Sequence, residues 1–208
     1  MGVYQPEVTV GNEWDSYANS WDTDSGARGY AVAALASLHD VLNDTDIAMA
    51  GARVIDFGCG TGLLTELMVA GGASVHAVDT STAMLEVVAN KIAEHNWIGV
   101  RTSTSLPGEH ESFDLVVCSS VCSFLDDYPA TVGELVAHLR GGGLFVQWDW
   151  ERAGQEPHGL TRAEIRETLT SAGLVDVTVS DAFSIPVDGQ TMSPVMGHGH
   201  RPLGIARR

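Results

Sequence analysis

The segment Val54-Ile-Asp-Phe-Gly-Cys-Gly-Thr-Gly62 constrains this chain more than any other stretch. A short apolar run, Arg53–Phe57, stops at three glycines spaced two apart, and Leu63–Ala70 follows as a helix that ends at Gly71–Gly72. That order reads as buried strand, tight turn, helix. Glycine at 58, 60 and 62 lets the backbone turn sharply and approach a ligand closely. The helix N-terminus aims its free N–H groups into the same turn. A dinucleotide fingerprint would put its third glycine at position 63, which is Leu63. Asp56, two residues before the turn, is awkward beside a pyrophosphate but suits a ligand carrying an ammonium or sulfonium group. Seventeen residues after Gly62, Asp79 ends a second strand, Ser74–Val78, where an acid can accept both hydroxyls of a ribose. Capping the next helix is the plainer use of Asp79.

Strands and helices alternate along the rest of the chain. Further strands are expected at 98–101, 112–118, 144–148, 175–180 and 194–198, with helices at 82–94, 130–139 and 161–171. Thr161 and Glu164 form a capping box. Gly141–Gly143 is read as a turn into the fifth strand. The last two strands are expected to pair antiparallel through a turn at Pro186–Gly189. The fold class that follows is α/β: a doubly wound, mostly parallel seven-stranded sheet, Rossmann-like, with an antiparallel C-terminal strand. Residues 1–13 show no period and read as a loose arm. Trp14–Leu42 reads as helical in two pieces broken near Asp22–Gly26. This gives an N-terminal arm and helical lid over 1–48 and one domain over 49–208, within a single structural unit.

Composition narrows the partners. With 208 residues, 44% of them apolar, the chain can bury a sizeable core. A formal charge of −16 disfavours nucleic acid and anionic membranes. No apolar run reaches the roughly 18 residues of a spanning helix, and Met1–Val10 lacks the pattern of a signal peptide. Three cysteines, Cys59, Cys118 and Cys122, make no disulfide framework. A cytoplasmic monomer or homodimer is expected. Cys118 with Cys122, and His198 with His200, are too few ligands for a metal set, so no metal is expected.

The motifs together resemble the class I S-adenosylmethionine-dependent methyltransferases of small-molecule type. The resemblance rests on Asp56-x-Gly-x-Gly-x-Gly62 with Asp79, on Asp79–Leu85, Ser105–Pro107 and Ser112–Val117, and on Arg140–Phe145. It runs in order from about residue 50 to 205. It implies that Asp56, Gly58, Cys59, Gly60 and Gly62 line the methionine end of S-adenosylmethionine, that Asp79 holds the ribose, and that Thr80 and Met84 flank ribose and adenine. The family's adenine-contacting Asp is replaced by Thr102, with Ser103 beside it. Cys118 and Ser119 are expected near the methionine part. Tyr17, Trp21 and Arg28 resemble the N-terminal lid; packing of that helix is the alternative role of its aromatics. Asp114 is expected to be structural.

The resemblance implies attack by an oxygen or nitrogen of a small molecule on the sulfonium methyl group, leaving S-adenosylhomocysteine. Ser119 and Ser120 cannot supply the carboxylates that a divalent metal would need, so the reaction is expected to be metal-independent. Ser123, Phe124 and Trp148 are expected to line the acceptor pocket. Asp149, after the fifth strand, is the candidate general base or acceptor-orienting acid. Two rivals remain: a non-catalytic binding domain of the same fold, and an NAD-dependent oxidoreductase, against which Gly62 and Asp56 both argue.

Overall fold

The computed structural model describes residues 14–108, 111–152, 159–187 and 190–204. Seven strands form one sheet: β1 (Arg53–Phe57), β2 (Ser74–Val78), β3 (Arg101–Ser103), β4 (Phe113–Ser119), β5 (Leu139–Asp149), β6 (Val175–Asp181) and β9 (Val195–His200). Their order is β3-β2-β1-β4-β5-β9-β6. The first five pair in parallel, and β9 runs antiparallel to both β5 and β6. Helices α1 (Ser25–Leu42), α2 (Leu63–Ala70), α3 (Thr82–His95), α4 (Tyr128–Ala137) and α5 (Arg162–Ser171) flank it.

The central strands are buried on both faces, which is why they read as continuous apolar runs rather than as alternation. On one face Ala34, Leu38 and Leu42 of α1 and Leu64 and Met68 of α2 pack on Val54, Val117 and Val146. On the other, Val132 and Leu135 of α4 and Ile165 and Leu169 of α5 pack on Ile55, Val116 and Phe145. Local signals set the helix starts. Asp24 accepts the N–H groups of Gly26 and Ala27, Ser81 that of Met84, and Thr161 and Glu164 close the expected capping box. Of the two helical pieces expected over Trp14–Leu42 only the second, α1, is a helix of any length: residues 16–20 are turn and a short 3-10 helix, Trp21–Thr23, leads into α1.

Three details differ from the sequence reading. β3 lies at Arg101–Ser103, just past the expected run. Gly141–Gly143 is not a turn but part of the long β5. The chain end pairs with it, Arg201 donating to the Gly143 carbonyl and accepting from the Gly142 N–H. The connection from β6 to β9 is not a plain turn but carries a second small sheet, β7 (Ile185–Val187) with β8 (Gln190–Met192). The arm at 1–13 lies outside the described residues. No helix among the described residues is long and apolar enough to cross a membrane.

Gly197 of β9 leaves room for α5: a Cβ there would press into Ile165 Cγ2 and stand 3.2 Å from Leu169 Cδ1. Gly197→Ala is therefore expected to destabilise the fold by roughly 1–3 kcal/mol through overpacking. Urea denaturation checks this; an unchanged midpoint would mean that α5 is not seated on this strand.

Candidate active site

The turn after β1 has the backbone its glycines promised. Gly58, Gly60 and Gly62 take φ values of +70°, +53° and +81°. A Cβ at Gly58 would stand 2.5 Å from Val121 Cγ2, whereas one at Gly60 would meet nothing within 4 Å. So Gly58 is required by close packing as well as by φ, and Gly60 faces open space. The turn is pinned from β2. Gly58 and Cys59 donate their N–H groups to the Val78 carbonyl at 2.8 and 3.1 Å. Asp79 accepts Gly60 N–H at 2.8 Å through Oδ2 and Ser81 N–H at 2.9 Å through Oδ1. Both oxygens keep a second lone pair for a ligand hydroxyl. Burial raises the pKa of Asp79, against the pull of those two hydrogen bonds.

Asp56 is 1% exposed at the end of β1. Its Oδ2 accepts the Thr65 hydroxyl at 2.5 Å, and its Oδ1 has no hydrogen-bond partner. Desolvation pushes its pKa up to about 6; the Thr65 hydrogen bond opposes the rise and the Asp79 charge adds to it. A buried carboxylate oxygen without a donor is costly, and a cationic ligand would relieve it. Open space at Gly60 and the orphaned Oδ1 of Asp56 therefore fit a ligand with an ammonium or sulfonium group.

The segment 14–24 covers this turn. Asp22 accepts the Thr61 hydroxyl at 2.5 Å and pairs with Lys91 at 2.7 Å, and Lys91 also lies 3.5 Å from Glu66. Arg28 is exposed and donates to the Asp22 carbonyl, while the Ser81 hydroxyl donates to Asp15. Trp14 packs against Tyr17, Trp21 and Phe124, with ring centroids 6.0, 6.1 and 5.4 Å away. Tyr17 and Trp21 are 49% and 36% exposed. Asp15, Asp22 and Trp14 thus dock the segment; Asp22 falls in the lid-like stretch and Trp14 among the aromatics with a packing role, whereas nothing in the sequence marks Asp15. The chain's one lysine standing on α3 beside the turn was the available signal for Asp22.

At the ends of β4 and β5 lies a second polar group. Cys118 is wholly buried, Ser119 is half-buried, and Ser120 takes φ +54°. Asp149 is wholly buried; its Oδ1 accepts Ser123 N–H at 3.2 Å and its Oδ2 faces Gln147 Nε2 at 3.4 Å. Gln147 Oε1 accepts the Tyr128 hydroxyl at 2.6 Å. Desolvation pushes the Asp149 pKa up to about 7, against hydrogen bonds from Ser123 and Cys122. The Tyr30 hydroxyl, turned toward Ser119 and Ser120, is buried without a hydrogen bond of standard geometry, and its ring packs edge-on against Trp150 and Phe183. Tyr30 closes the lid-like stretch Arg28-Gly-Tyr30, although it is not among the candidate cofactor-binding residues.

Other expected residues sit less directly. Trp148 is wholly buried under α1, with its indole N–H donated to Ser37 Oγ at 2.9 Å, so its ring belongs to the core rather than to a cleft wall. Met84 is 3% exposed and Thr80 is exposed beside Asp79. Thr102 and Ser103 lie half-buried on β3, with Ser103 Oγ 2.7 Å from His76 Nε2. Ser123 and Phe124 are half-buried at the turn that Asp149 holds. Asp114 is structural, accepting Arg53 N–H and pairing with Arg140.

Residues 55–147 match the family model described as "Methyltransferase domain". The ubiquinone biosynthesis O-methyltransferase of Xanthomonas euvesicatoria pv. vesicatoria is 31% identical over 144 residues, covering 67% of this chain and 57% of that one. The enzyme of the same name from Stutzerimonas stutzeri is 37% identical over 49% of this chain and 46% of its own length. The chain spans about half the length of the curated relatives it matches. Among solved structures, N-methyltransferase NodS from Bradyrhizobium japonicum WM9, in complex with S-adenosyl-L-homocysteine, superposes with a TM-score of 0.72 at 17% identity. That match covers 92% of this chain and 98% of that one. Magnesium protoporphyrin IX methyltransferase from Synechocystis, with bound SAM, gives a TM-score of 0.69 at 17% identity over 95% and 100%.

The raised pKa of Asp149 has a sign for stability. The folded state holds the proton more tightly than the unfolded chain, so the carboxyl's contribution is full below about pH 4 and falls as pH rises toward about 7. Asp149→Asn is expected to flatten that fall and to be more stable than the parent at pH 8 by roughly 1–3 kcal/mol. Denaturation at pH 5 and pH 8 checks it; equal pH dependence in both proteins would mean that Asp149 is ionised without strain.

Proposed function

We propose that this chain, a member of the class I S-adenosylmethionine-dependent methyltransferases, transfers a methyl group from S-adenosylmethionine to an oxygen or nitrogen of a small molecule without a metal ion. The observation that carries the reading is the pairing of Asp56, with its orphaned oxygen, and the Asp79-pinned glycine turn. The cofactor, when bound, supplies an electrophilic methyl group on a sulfonium.

The chain's own residues then bind, orient and exclude water. Asp56 offers a buried carboxylate to the ammonium at the methionine end, with Gly58, Cys59, Gly60 and Gly62 forming the floor and Cys118 and Ser119 closing the far side. Asp79 offers its free lone pairs to the ribose hydroxyls, between Thr80 and Met84, and Thr102 and Ser103 stand at the adenine end. Tyr17 and Trp21 belong to the covering segment and Arg28 stands beside it on α1, all within the 1–48 lid region that precedes the domain at 49–208. Ser123 and Phe124 face the acceptor; Asp149 positions them through the Ser123 N–H and is the proton-accepting carboxylate nearest that turn. Such chemistry needs chiefly placement at attack distance and removal of water, and a base only where the nucleophile carries a proton. Ser119 and Ser120, rather than carboxylates, after β4 support the metal-free reading. The names of the O-methyltransferase relatives support a small-molecule acceptor. Neither nucleic acid nor a membrane is a proposed partner, and the proposed state is a cytoplasmic monomer or homodimer.

Calorimetric titration tests the reading. S-adenosylhomocysteine is expected to bind and NADH not to. Asp79→Ala is expected to weaken S-adenosylhomocysteine binding by roughly 1.5–3 kcal/mol through loss of charge-assisted hydrogen bonds. Binding of NADH alone would replace the reading with an oxidoreductase, and unchanged affinity in Asp79→Ala would take Asp79 out of the ribose role.

A further inference from the structure

At the opposite end of the strands from the glycine turn, a cavity of about 270 Å³ is lined by Arg53, Ser74, His76, Arg101, Phe113 and the Gly99 segment. It lies where β1, β2, β3 and β4 begin; the methyltransferase reading uses none of these lining residues, although Ser103, which it places at the adenine end, hydrogen-bonds His76. Two of the 11 basic residues of a chain carrying −16 converge on it. Their guanidinium groups share one counter-ion: Glu111 Oε2 lies 3.2 Å from Arg53 Nη2 and also pairs with Arg101 Nη2. Two guanidinium groups and one carboxylate leave a net positive charge, and each guanidinium keeps unused N–H donors. Arg53 is further held over the Phe113 ring, 4.9 Å from its centroid.

His76 supplies the second feature. It is 6% exposed, and its Nδ1 is buried without a hydrogen-bond partner. Its Nε2 lies 2.7 Å from Ser103 Oγ, and that hydroxyl donates its hydrogen to the Ser105 carbonyl at 2.5 Å. Ser103 must therefore accept from His76 Nε2–H, which leaves Nδ1 as a bare lone pair. Burial and the nearby Arg101 lower the His76 pKa to about 4, consistent with a neutral ring; His138 acts in the same sense and Glu111 against it. The lining thus combines cationic donors for an oxyanion with the His76 ring, whose Nδ1 is buried behind it without a donor. A bare oxyanion satisfies only the first.

We propose that this cavity binds a small oxyanion that carries its own hydroxyl, with hydrogen phosphate as the simplest member: Arg53 and Arg101 take its oxygens and His76 Nδ1 accepts its O–H. Glu111 occupies the guanidinium pair in the ligand's absence and competes with it. Free phosphate and phosphate monoesters share this chemistry, but a monoester has a second pKa near 6 and loses its hydroxyl at neutral pH, which favours the free ion.

The test is calorimetry on the full chain at pH 7 and constant ionic strength, with sodium phosphate, sodium sulfate and methyl phosphate. Phosphate is expected to bind saturably. Sulfate, which lacks a hydroxyl, and the monoester are each expected to bind about tenfold more weakly, as the loss of one hydrogen bond to a buried acceptor implies. Arg101→Gln is expected to weaken phosphate about tenfold or more, and Glu111→Gln, which removes the competitor, to strengthen it severalfold. Should Arg101→Gln fail to fold, the gain in Glu111→Gln still decides. No saturable phosphate binding in either the parent or Glu111→Gln would overturn the proposal. So would sulfate or the monoester binding as well as phosphate. None of these outcomes depends on the methyltransferase reading, which stands or falls on S-adenosylhomocysteine.

Discussion

Asp79 accepts the backbone N–H of Gly60 through one oxygen and that of Ser81 through the other, so a single carboxylate ties the turn after β1 to the turn after β2. Both turns lead into helices, and both helix starts face the same cleft. The glycines alone would leave the Gly58–Gly62 segment many conformations, because glycine gives up most freedom on folding. Asp79, with the two N–H groups held by the Val78 carbonyl, selects one. The segment 14–24 docks on that fixed surface, with Asp22 on Thr61 and Asp15 on Ser81. The covering segment therefore reads the same two turns that a ligand would.

Charge is distributed around this clamp in a way that asks for a cation. Asp56 and Asp79 both have raised pKa values, and burial is the leading cause in each. Lys91 is the positive charge that answers Asp22 and Glu66, but it sits on the covering side and not against Asp56. Across the cleft, Asp149 lies in a third desolvated position and organises the turn carrying Ser123 and Phe124. Two strand ends thus each present a buried acid, Asp56 at the end of β1 and Asp149 at the end of β5. Environments that hold carboxyl groups away from their ordinary pKa are where binding and proton transfer concentrate.

Much of this was legible in the residues. β1, β2 and α2 follow from largely apolar runs bounded by glycines, as parallel strands buried on both faces require, with Asp56 and His76 as the buried polar exceptions. The capping residues Ser81 and Thr161 act locally and were read correctly for the same reason. What was not legible depends on contacts distant in the chain. Gly141–Gly143 looks like a turn until Arg201 pairs with it. The β7–β8 hairpin interrupts what length alone would read as a single turn. Trp148 was placed near the acceptor by its position after β5, but residue parity turns its ring under α1 to Ser37. Asp22 and Tyr30 fall in the segment that resembles a lid, but their partners, Thr61 and Lys91 for Asp22 and Trp150 and Phe183 for Tyr30, are set by contacts distant in the chain, which no local pattern encodes.

The central claim is that Asp56 carries a carboxylate oxygen awaiting a cationic partner. Carboxyl-carbon NMR of selectively labelled protein, titrated from pH 4 to 8 with and without saturating S-adenosylhomocysteine, tests it most directly. The free protein should show Asp56 titrating near 6. With the ligand's ammonium beside it, the midpoint should fall by at least one pH unit, since an opposite charge within about 4–6 Å favours the ionised form. A midpoint that stays in place while the ligand is demonstrably bound would contradict the account.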